Sequence, residues 1–159
     1  MIGLKRINLV IGSILLMLTS TSCKKTADAV PNMYEQFLEF KDKTGKNLLN
    51  NFDINELNSD IIVKSENGEV VNTVYSVFEI NNKKFLKINS STSPDNKVNV
   101  LIYTIQNEKL MGDSEKYILE TRWNISDNRI TLTDFFKNGE KQIPVKEDFV
   151  NFSHYVLTK

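Results

Sequence analysis

The feature that most constrains the fold of this chain is a two-residue alternation of apolar and polar side chains in its second half. Residues 117–125 carry a large apolar or β-branched side chain at every second position, and residues 129–136 alternate in the same way. Alternation of this kind is typical of a strand with one buried face. We therefore predict that this part of the chain forms β-sheet rather than helix.

Turn signals separate the predicted strands. Asn67-Gly68 and Asn138-Gly139 are the strongest of them, because both residue types tolerate the positive φ that a tight hairpin requires. We count about eight strands, at spacings of roughly 8–12 residues. Residues 33–40 fit either a helix or a strand. The pattern predicts an all-β fold, an antiparallel β-sandwich, with a lipocalin-like barrel as the alternative.

The N-terminal segment has the layout of a secretory signal. Lys5 and Arg6 precede a short apolar run, residues 7–18, and small polar residues follow it as far as Cys23. The apolar run is too short to span a bilayer comfortably, which takes about 20 apolar residues. We predict a signal peptide over residues 1–22, a flexible tether over residues 23–33 and a single β domain over residues 34–159.

Cys23 is the single cysteine of the chain and lies where the signal should end. The residues before it resemble the lipobox of bacterial lipoproteins, with Ser20 where that family prefers leucine, and looser boxes of this kind are similar to those of Bacteroidetes lipoproteins. The resemblance implies lipid on Cys23, removal of the signal, and a place in the bacterial cell envelope, at the outer rather than the inner membrane. The alternative is an ordinary secretory signal with an incidental cysteine.

A second resemblance concerns the start of the predicted domain. Asp42, Gly45 and Leu48 form an Asp-x-x-Gly-x-x-Leu pattern ahead of a strand and a turn. This opening is similar to that of small Bacteroidetes lipoproteins and to the first hairpin of transthyretin-like, carboxypeptidase-regulatory-like modules. It covers under a quarter of the chain. It implies an immunoglobulin-like or transthyretin-like sandwich and brings no catalytic residue.

Composition argues against several partners and chemistries. The chain has 20 basic and 20 acidic side chains, a balance that argues against nucleic acid as a partner. A single cysteine excludes a framework of internal disulfides. The sequence has no glycine-rich phosphate loop, no dinucleotide fingerprint and no Gly-x-Ser-x-Gly elbow. We therefore expect no enzyme, no catalytic residue and no cofactor.

A metal site is not expected either. Zinc and copper sites draw on clusters of histidine and cysteine, and His154 is the only histidine. We interpret it as a partly buried or strand-edge side chain hydrogen-bonded to a neighbour. Glu120 and Asp134 are interpreted as solvated strand carboxylates rather than a catalytic pair. A solvated loop, without the Asp-x-Asp-x-Asp-Gly pattern of a calcium site, is the interpretation of Asp53, Asn55, Glu56, Asn58 and Asp60.

Two aromatic side chains are candidates for contact with a ligand or partner. Trp123 lies on the apolar alternating face of its strand, which predicts burial in the core, with a surface binding platform as the alternative. Unbroken alternation in the next strand places Phe136 on the inner face with Ile130 and Leu132. That arrangement leaves Phe135 as the better candidate for exposure.

The function expected from these features is a non-catalytic, membrane-tethered envelope protein. Its lipid on Cys23 would hold it to the membrane, and its β domain would bind an unknown protein, glycan or small apolar ligand. Two alternatives remain open. One is a lipocalin-like carrier of a small apolar ligand, and the other is an inhibitor or immunity-type protein that blocks a partner enzyme. An exposed apolar patch near Phe135 would favour the inhibitor.

Overall fold

The computed structural model describes residues 30–57, 60–112, 114, 116–126, 129–150 and 152–159. The predicted signal peptide, Cys23 and the tether as far as residue 29 lie outside the described residues. The strands are β1 (Asn32–Lys41), β2 (Ile61–Ser65), β3 (Asn72–Ile80), β4 (Lys83–Thr92), β5 (Val100–Ile105), β6 (Tyr117–Ser126), β7 (Arg129–Lys137), β8 (Glu140–Gln142) and β9 (Tyr155–Thr158). The 3₁₀ turns span Leu48–Asn51 and Ile54–Leu57, and the one-turn helix α1 spans Glu108–Met111. Among the helices described, none has the length and apolar character needed to cross a membrane.

The strands form two sheets that pack face to face. One has four strands in the order β3-β4-β1-β9, and the other has five in the order β2-β5-β6-β7-β8. Neighbouring strands are antiparallel except β1 and β9, which are parallel. The predicted β-sandwich is therefore confirmed. The alternative of a lipocalin-like barrel is wrong, because the two sheets keep separate edges instead of closing into one.

Strand β1 occupies the segment whose sequence fits either helix or strand. Its inward side chains include Tyr34, Leu38 and Phe40, all fully buried in the core between the sheets. The strand begins at Asn32, two residues before the predicted start of the domain. The Asn32 side chain fixes this start, because the two hydrogens of its Nδ2 are shared among three carbonyls of the loop after β4, the nearest being that of Ser93 at 2.8 Å.

Both Asn-Gly turns form as predicted, but only the second joins two neighbouring strands of one sheet. Asn138 and Gly139 take φ values of 50° and 83° and connect β7 to β8 as a hairpin. Asn67 and Gly68 also make a tight turn, in which Gly68 has φ 82°. On either side of this turn, Lys64 and Val70 form a single isolated β-bridge. The chain then crosses to the other sheet as β3.

Strand β7 contains a β-bulge opposite the middle of β6. Arg122 of β6 pairs with Asp134 of β7. The next residue of β6, Trp123, pairs with Leu132, which lies two positions back along β7. Thr133 is therefore an extra residue in β7, and its Oγ1 donates a hydrogen bond to the Arg122 carbonyl at 2.9 Å. A bulge of this kind shifts the alternation of the strand by one residue.

The bulge overturns the prediction that Phe135 is exposed. Phe135 is fully buried, and its ring stacks on Tyr155 with the ring centroids 4.3 Å apart. Phe136, which the sequence placed on the inner face, is instead partly exposed under the Arg122 guanidinium, 4.8 Å from its ring centre. The prediction failed because it assumed unbroken alternation along β7. An exposed apolar patch that would favour the inhibitor alternative therefore cannot include Phe135 itself.

A strap covers the outer face of the four-stranded sheet. We use this name for residues 143–150 and 152–154, which connect β8 to β9. Phe152 of the strap stacks on Phe37 with ring centroids 4.0 Å apart and meets Phe78 and Phe85 edge-on. The strap therefore packs on part of this outer face, while Met33 and Val74 on the same face stay exposed. The predicted final strand, which began near Val150, is shortened to β9, because the residues before Tyr155 belong to the strap.

Candidate functional site

A groove runs between the first half of β1 and strand β7. Strand β9 pairs only with Leu38 to Lys41 of β1, so among the described strands residues 32–37 of β1 have β4 on one side and no partner on the other. The groove opens where β9 stops. Its volume is about 350 Å³, which lies within the range of small-molecule sites.

Apolar side chains line much of this groove. They include Phe37, Trp123, Ile130, Leu132, Phe152 and Tyr155. The predicted burial of Trp123 is confirmed, since only 6% of it is exposed. Its ring meets Tyr34 edge-on at 5.3 Å between centroids, and its Nε1 donates a hydrogen bond to Thr121 at 2.8 Å. Trp123 is thus a core residue that also forms part of the groove wall.

The carboxamide of Gln36 is the polar group that distinguishes the groove. Gln36 lines it and is 1% exposed, yet neither Oε1 nor Nε2 forms a hydrogen bond with any described residue. Leaving a buried polar group unpaired costs about 1–3 kcal/mol. An amide carries two donor hydrogens and one acceptor oxygen. The groove therefore combines an apolar wall with one hydrogen-bonding group that the described protein leaves unused.

The remaining polar residues of the groove are more ordinary. Charges of opposite sign are contributed by Glu35, which is paired with Lys87, and by Arg129. Ser153 adds a hydroxyl, and burial raises the pKa of Tyr155, so that its phenol stays neutral at physiological pH. A ligand with an apolar or aromatic body and an amide-complementary polar group matches this lining.

A larger depression near the C-terminus is a weaker candidate. It has a volume of about 440 Å³ and is lined by residues that include Asp42, Tyr117 and Lys159. None of its lining residues is among the described side chains with a buried, unpaired polar atom. It therefore offers no unused recognition group comparable with Gln36.

A second cluster of polar side chains lies beneath the strap. His154 is fully buried, and its Nε2 lies 3.5 Å from Oε2 of Glu39, which is 1% exposed. Glu147 of the strap completes the cluster, with one ligand-type atom of each residue within 4.8 Å of the others. Lys83 pairs with Oε1 of Glu147, and Lys41 Nζ lies 3.1 Å from Oε2 of Glu39.

His154 is more deeply buried than the partly buried or strand-edge position predicted for it, and of the predicted hydrogen bond to a neighbour there is only the 3.5 Å approach of Nε2 to Oε2 of Glu39. Neither ring nitrogen forms a hydrogen bond with a described residue. The ring packs edge-on against Phe85, with centroids 4.9 Å apart, and the backbone bridges to Val145 of the strap. Desolvation lowers the pKa of His154 below its usual value although Glu39 opposes the shift, so the imidazole is neutral at pH 7.

The strand carboxylates each have a cation of their own. Glu120 accepts a hydrogen bond from Arg122 Nε at 2.8 Å, and Asp134 pairs with Lys141. The hydrogen bond from Lys141 is the main reason why the pKa of Asp134 lies below its usual value. This arrangement fits solvated ion pairs on an outer face, and the lowered pKa of Asp134 is the opposite of what a general acid needs.

In the loop considered as a calcium site, the two described carboxylates accept hydrogen bonds from other groups of the protein. Asp53 accepts the backbone N–H of the residue two positions later at 2.9 Å. Asp60 accepts a hydrogen bond at 2.8 Å from the amide of Asn107, which caps α1. Asn58 and the side chain of Glu56 lie outside the described part of the chain.

Gln36 and the cluster around His154 were not predicted from the sequence. Gln36 lies between Tyr34 and Leu38 on the inward positions of β1, where a polar side chain is out of place, but this signal can be read only once the segment is known to be a strand. Glu39 and Glu147 are far apart in the sequence, and only the fold of the strap over β1 brings them together.

Comparison with known proteins found no matching family model, no matching curated protein and no matching solved structure. The groove, the cluster under the strap and the N-terminal sequence are therefore the features on which a function can be argued.

Proposed function

We propose that this protein is a non-catalytic, lipid-anchored protein of the bacterial cell envelope whose β-sandwich binds a small ligand in the groove beside Trp123. The observation that carries this proposal is the carboxamide of Gln36, buried at the groove with both polar atoms unpaired among the described residues. The ligand has an apolar or aromatic body, which matches the aromatic wall, and one polar group that exchanges hydrogen bonds with the amide.

Binding fits the groove better than catalysis does. The titratable side chains that line it are Glu35, Arg129 and Tyr155. Nucleophilic catalysis needs a nucleophile held within hydrogen-bond reach of a base. The described lining holds no such pair, since Glu35 is engaged with Lys87 and His154 is not part of the groove.

The groove lies close to the point where the tether joins the domain. Strand β1 starts at Asn32, and the next residue, Met33, lines the groove. If Cys23 carries lipid, residues 23–31 span at most about 30 Å when extended. The groove then stays close to the membrane surface, where apolar ligands are concentrated.

Replacing Cys23 with alanine should abolish lipid attachment. In a bacterial host supplied with labelled palmitate, we expect the parent protein to become labelled and to partition into the detergent phase. Cys23→Ala should do neither, because no other cysteine is present. Ser22→Ala, which keeps a small residue beside the acceptor, is the matched control and should label normally. Labelling of Cys23→Ala at the parent level would refute the lipid anchor.

Native mass spectrometry tests ligand binding directly. The protein released from envelope membranes, or mixed with an envelope extract of lipids and glycans, should carry one small-molecule adduct per chain. Gln36→Leu should lose the adduct while raising the free energy of unfolding by about 1–3 kcal/mol, because an unpaired buried amide is removed. Gln106→Leu, in an exposed loop away from the groove, should keep the adduct, and because it loses only an exposed hydrogen bond to the Ser114 carbonyl, its free energy of unfolding should fall by no more than about 0.5 kcal/mol. An adduct that survives in Gln36→Leu would contradict the site.

A second candidate function is the binding of an extended segment from a partner protein. The observation that favours it is the edge of β1 at residues 32–37, which has no strand beside it on the groove side within the described chain. Such an edge can accept a partner strand through main-chain hydrogen bonds. This mode suits the inhibitor alternative. It predicts that binding tolerates Gln36→Leu, because the backbone rather than the side chain makes the contact.

A further inference from the structure

We propose that Glu39, Glu147 and His154 form a binding site for one divalent transition-metal ion, which fastens the strap to the four-stranded sheet. This site is separate from the groove and does not depend on a ligand there. Glu39 comes from β1, Glu147 from the middle of the strap and His154 from its end. An ion held by all three joins the covering segment to the strand beneath it.

The distances between the three side chains suit a shared ion. His154 Nε2 and Glu39 Oε2 are 3.5 Å apart. Two ligands of one tetrahedral zinc ion, each bound at about 2.0–2.1 Å, lie about 3.4 Å from each other. The three ligand-type atoms all fall within 4.8 Å of one another, so a shift of at most about 1.4 Å by the carboxylate of Glu147 closes the set.

The second argument is that polar atoms in this cluster are buried and unpaired. Among the described residues, neither nitrogen of His154 has a hydrogen-bond partner, and the same holds for Oε2 of Glu147. Oε2 of Glu39 has only its ion pair with Lys41 at 3.1 Å and the approach of His154 Nε2 to 3.5 Å. Burying polar and charged groups without partners is costly. A cation bound by the imidazole and the two carboxylates pairs three of these atoms at once, which no single side chain nearby does.

The neighbouring lysines are compatible with an ion. Lys83 holds Oε1 of Glu147 and leaves Oε2 for the metal, a contact that orients the ligand from outside. Lys41 approaches Oε2 of Glu39, but 27% of its side chain is exposed, so it turns to solvent when the ion binds. One imidazole with two carboxylates is a mixed donor set, in which the imidazole favours a transition metal such as zinc over magnesium or calcium.

Calorimetric titration with ZnCl₂ tests the proposal. The full chain is purified in detergent without a histidine tag and freed of metal by a chelator. We expect one Zn²⁺ per chain. His154→Gln and Glu39→Gln should each raise the dissociation constant by about 100-fold, since even the loss of a group that only orients a ligand costs 10–100-fold. Glu35→Gln is the matched control, because Glu35 lies on the same outward face of β1 but outside the cluster, and it should bind like the parent.

A second readout keeps the test decisive if a variant fails to fold. Circular dichroism checks the fold of each variant, and Glu147→Gln replaces any that unfolds, because Glu147 lies on the covering segment rather than in the core. Co²⁺ should give visible absorption bands with the parent and not with the variant. Zinc binding that is equal in Glu39→Gln and Glu35→Gln, or a parent that binds no Zn²⁺ at micromolar concentration, would overturn the proposal.

Discussion

Replacing Trp123 with alanine should lower the free energy of unfolding by about 3–5 kcal/mol, as removal of a large aromatic side chain from a core does. Trp123 is only 6% exposed. The alanine variant loses the edge-on contact with Tyr34 and the hydrogen bond to Thr121. Urea unfolding of the parent and the variant measures the difference. In the folded parent the emission should be blue-shifted, and it should move to the red on unfolding.

Trp123→Phe is the control for this prediction. It keeps an aromatic ring against Tyr34 and should lose much less stability than the alanine variant. Iodide should quench the parent emission weakly. If iodide quenches it freely and the alanine variant loses no more than about 0.5 kcal/mol, the range expected for a surface position, then Trp123 is not part of the core.

The second large effect is expected at Phe135. Phe135→Ala should cost about 3–5 kcal/mol, because the ring is fully buried and stacked on Tyr155. Phe136→Ala should cost no more than about 1 kcal/mol, because that ring lies on the outer face beneath Arg122. Denaturant unfolding of the two variants compares adjacent phenylalanines in one strand. The reverse order of costs would mean that β7 alternates without a bulge and that Phe136 faces the core.

The fold class could be predicted because exposure alternates locally in a strand. Leu119, Thr121 and Trp123 occupy one alternating face of β6, and all three are buried. The turn at Asn138 and Gly139 could also be predicted, because these residue types tolerate the positive φ values that the backbone adopts there. Both inferences need only the conformational preferences of a few neighbouring residues.

The features that could not be predicted depend on contacts between distant parts of the chain. One extra residue at Thr133 reverses the inward and outward positions after it, and no residue type in β7 marks that change. Strand β9 pairs in parallel with β1, but several strands of the chain have a similar composition. Composition therefore does not indicate which of them is the partner of β9. The same long-range packing lays the strap over the sheet and brings His154 to Glu39.

Of the two residues that define the candidate site, only one was singled out from the sequence. Trp123 was recognised as a residue of interest, and it is both buried and part of the groove. Gln36 was overlooked, because its segment fitted two secondary structures and its inward position followed only once β1 was known to be a strand. The chemistry of the groove therefore depends on knowing which face of β1 meets β7.

A fluorescence titration tests ligand binding in the groove most directly, because Trp123 is the only tryptophan and its emission comes from the groove wall. Fractions of an envelope lipid and glycan extract are added to the parent, to Gln36→Leu and to Gln106→Leu. We expect at least one fraction to change the emission of the parent and of Gln106→Leu in a saturable way, and to leave Gln36→Leu unchanged. An equal response from Gln36→Leu, or no saturable response from the parent to any fraction, would contradict a ligand site at Gln36 and Trp123.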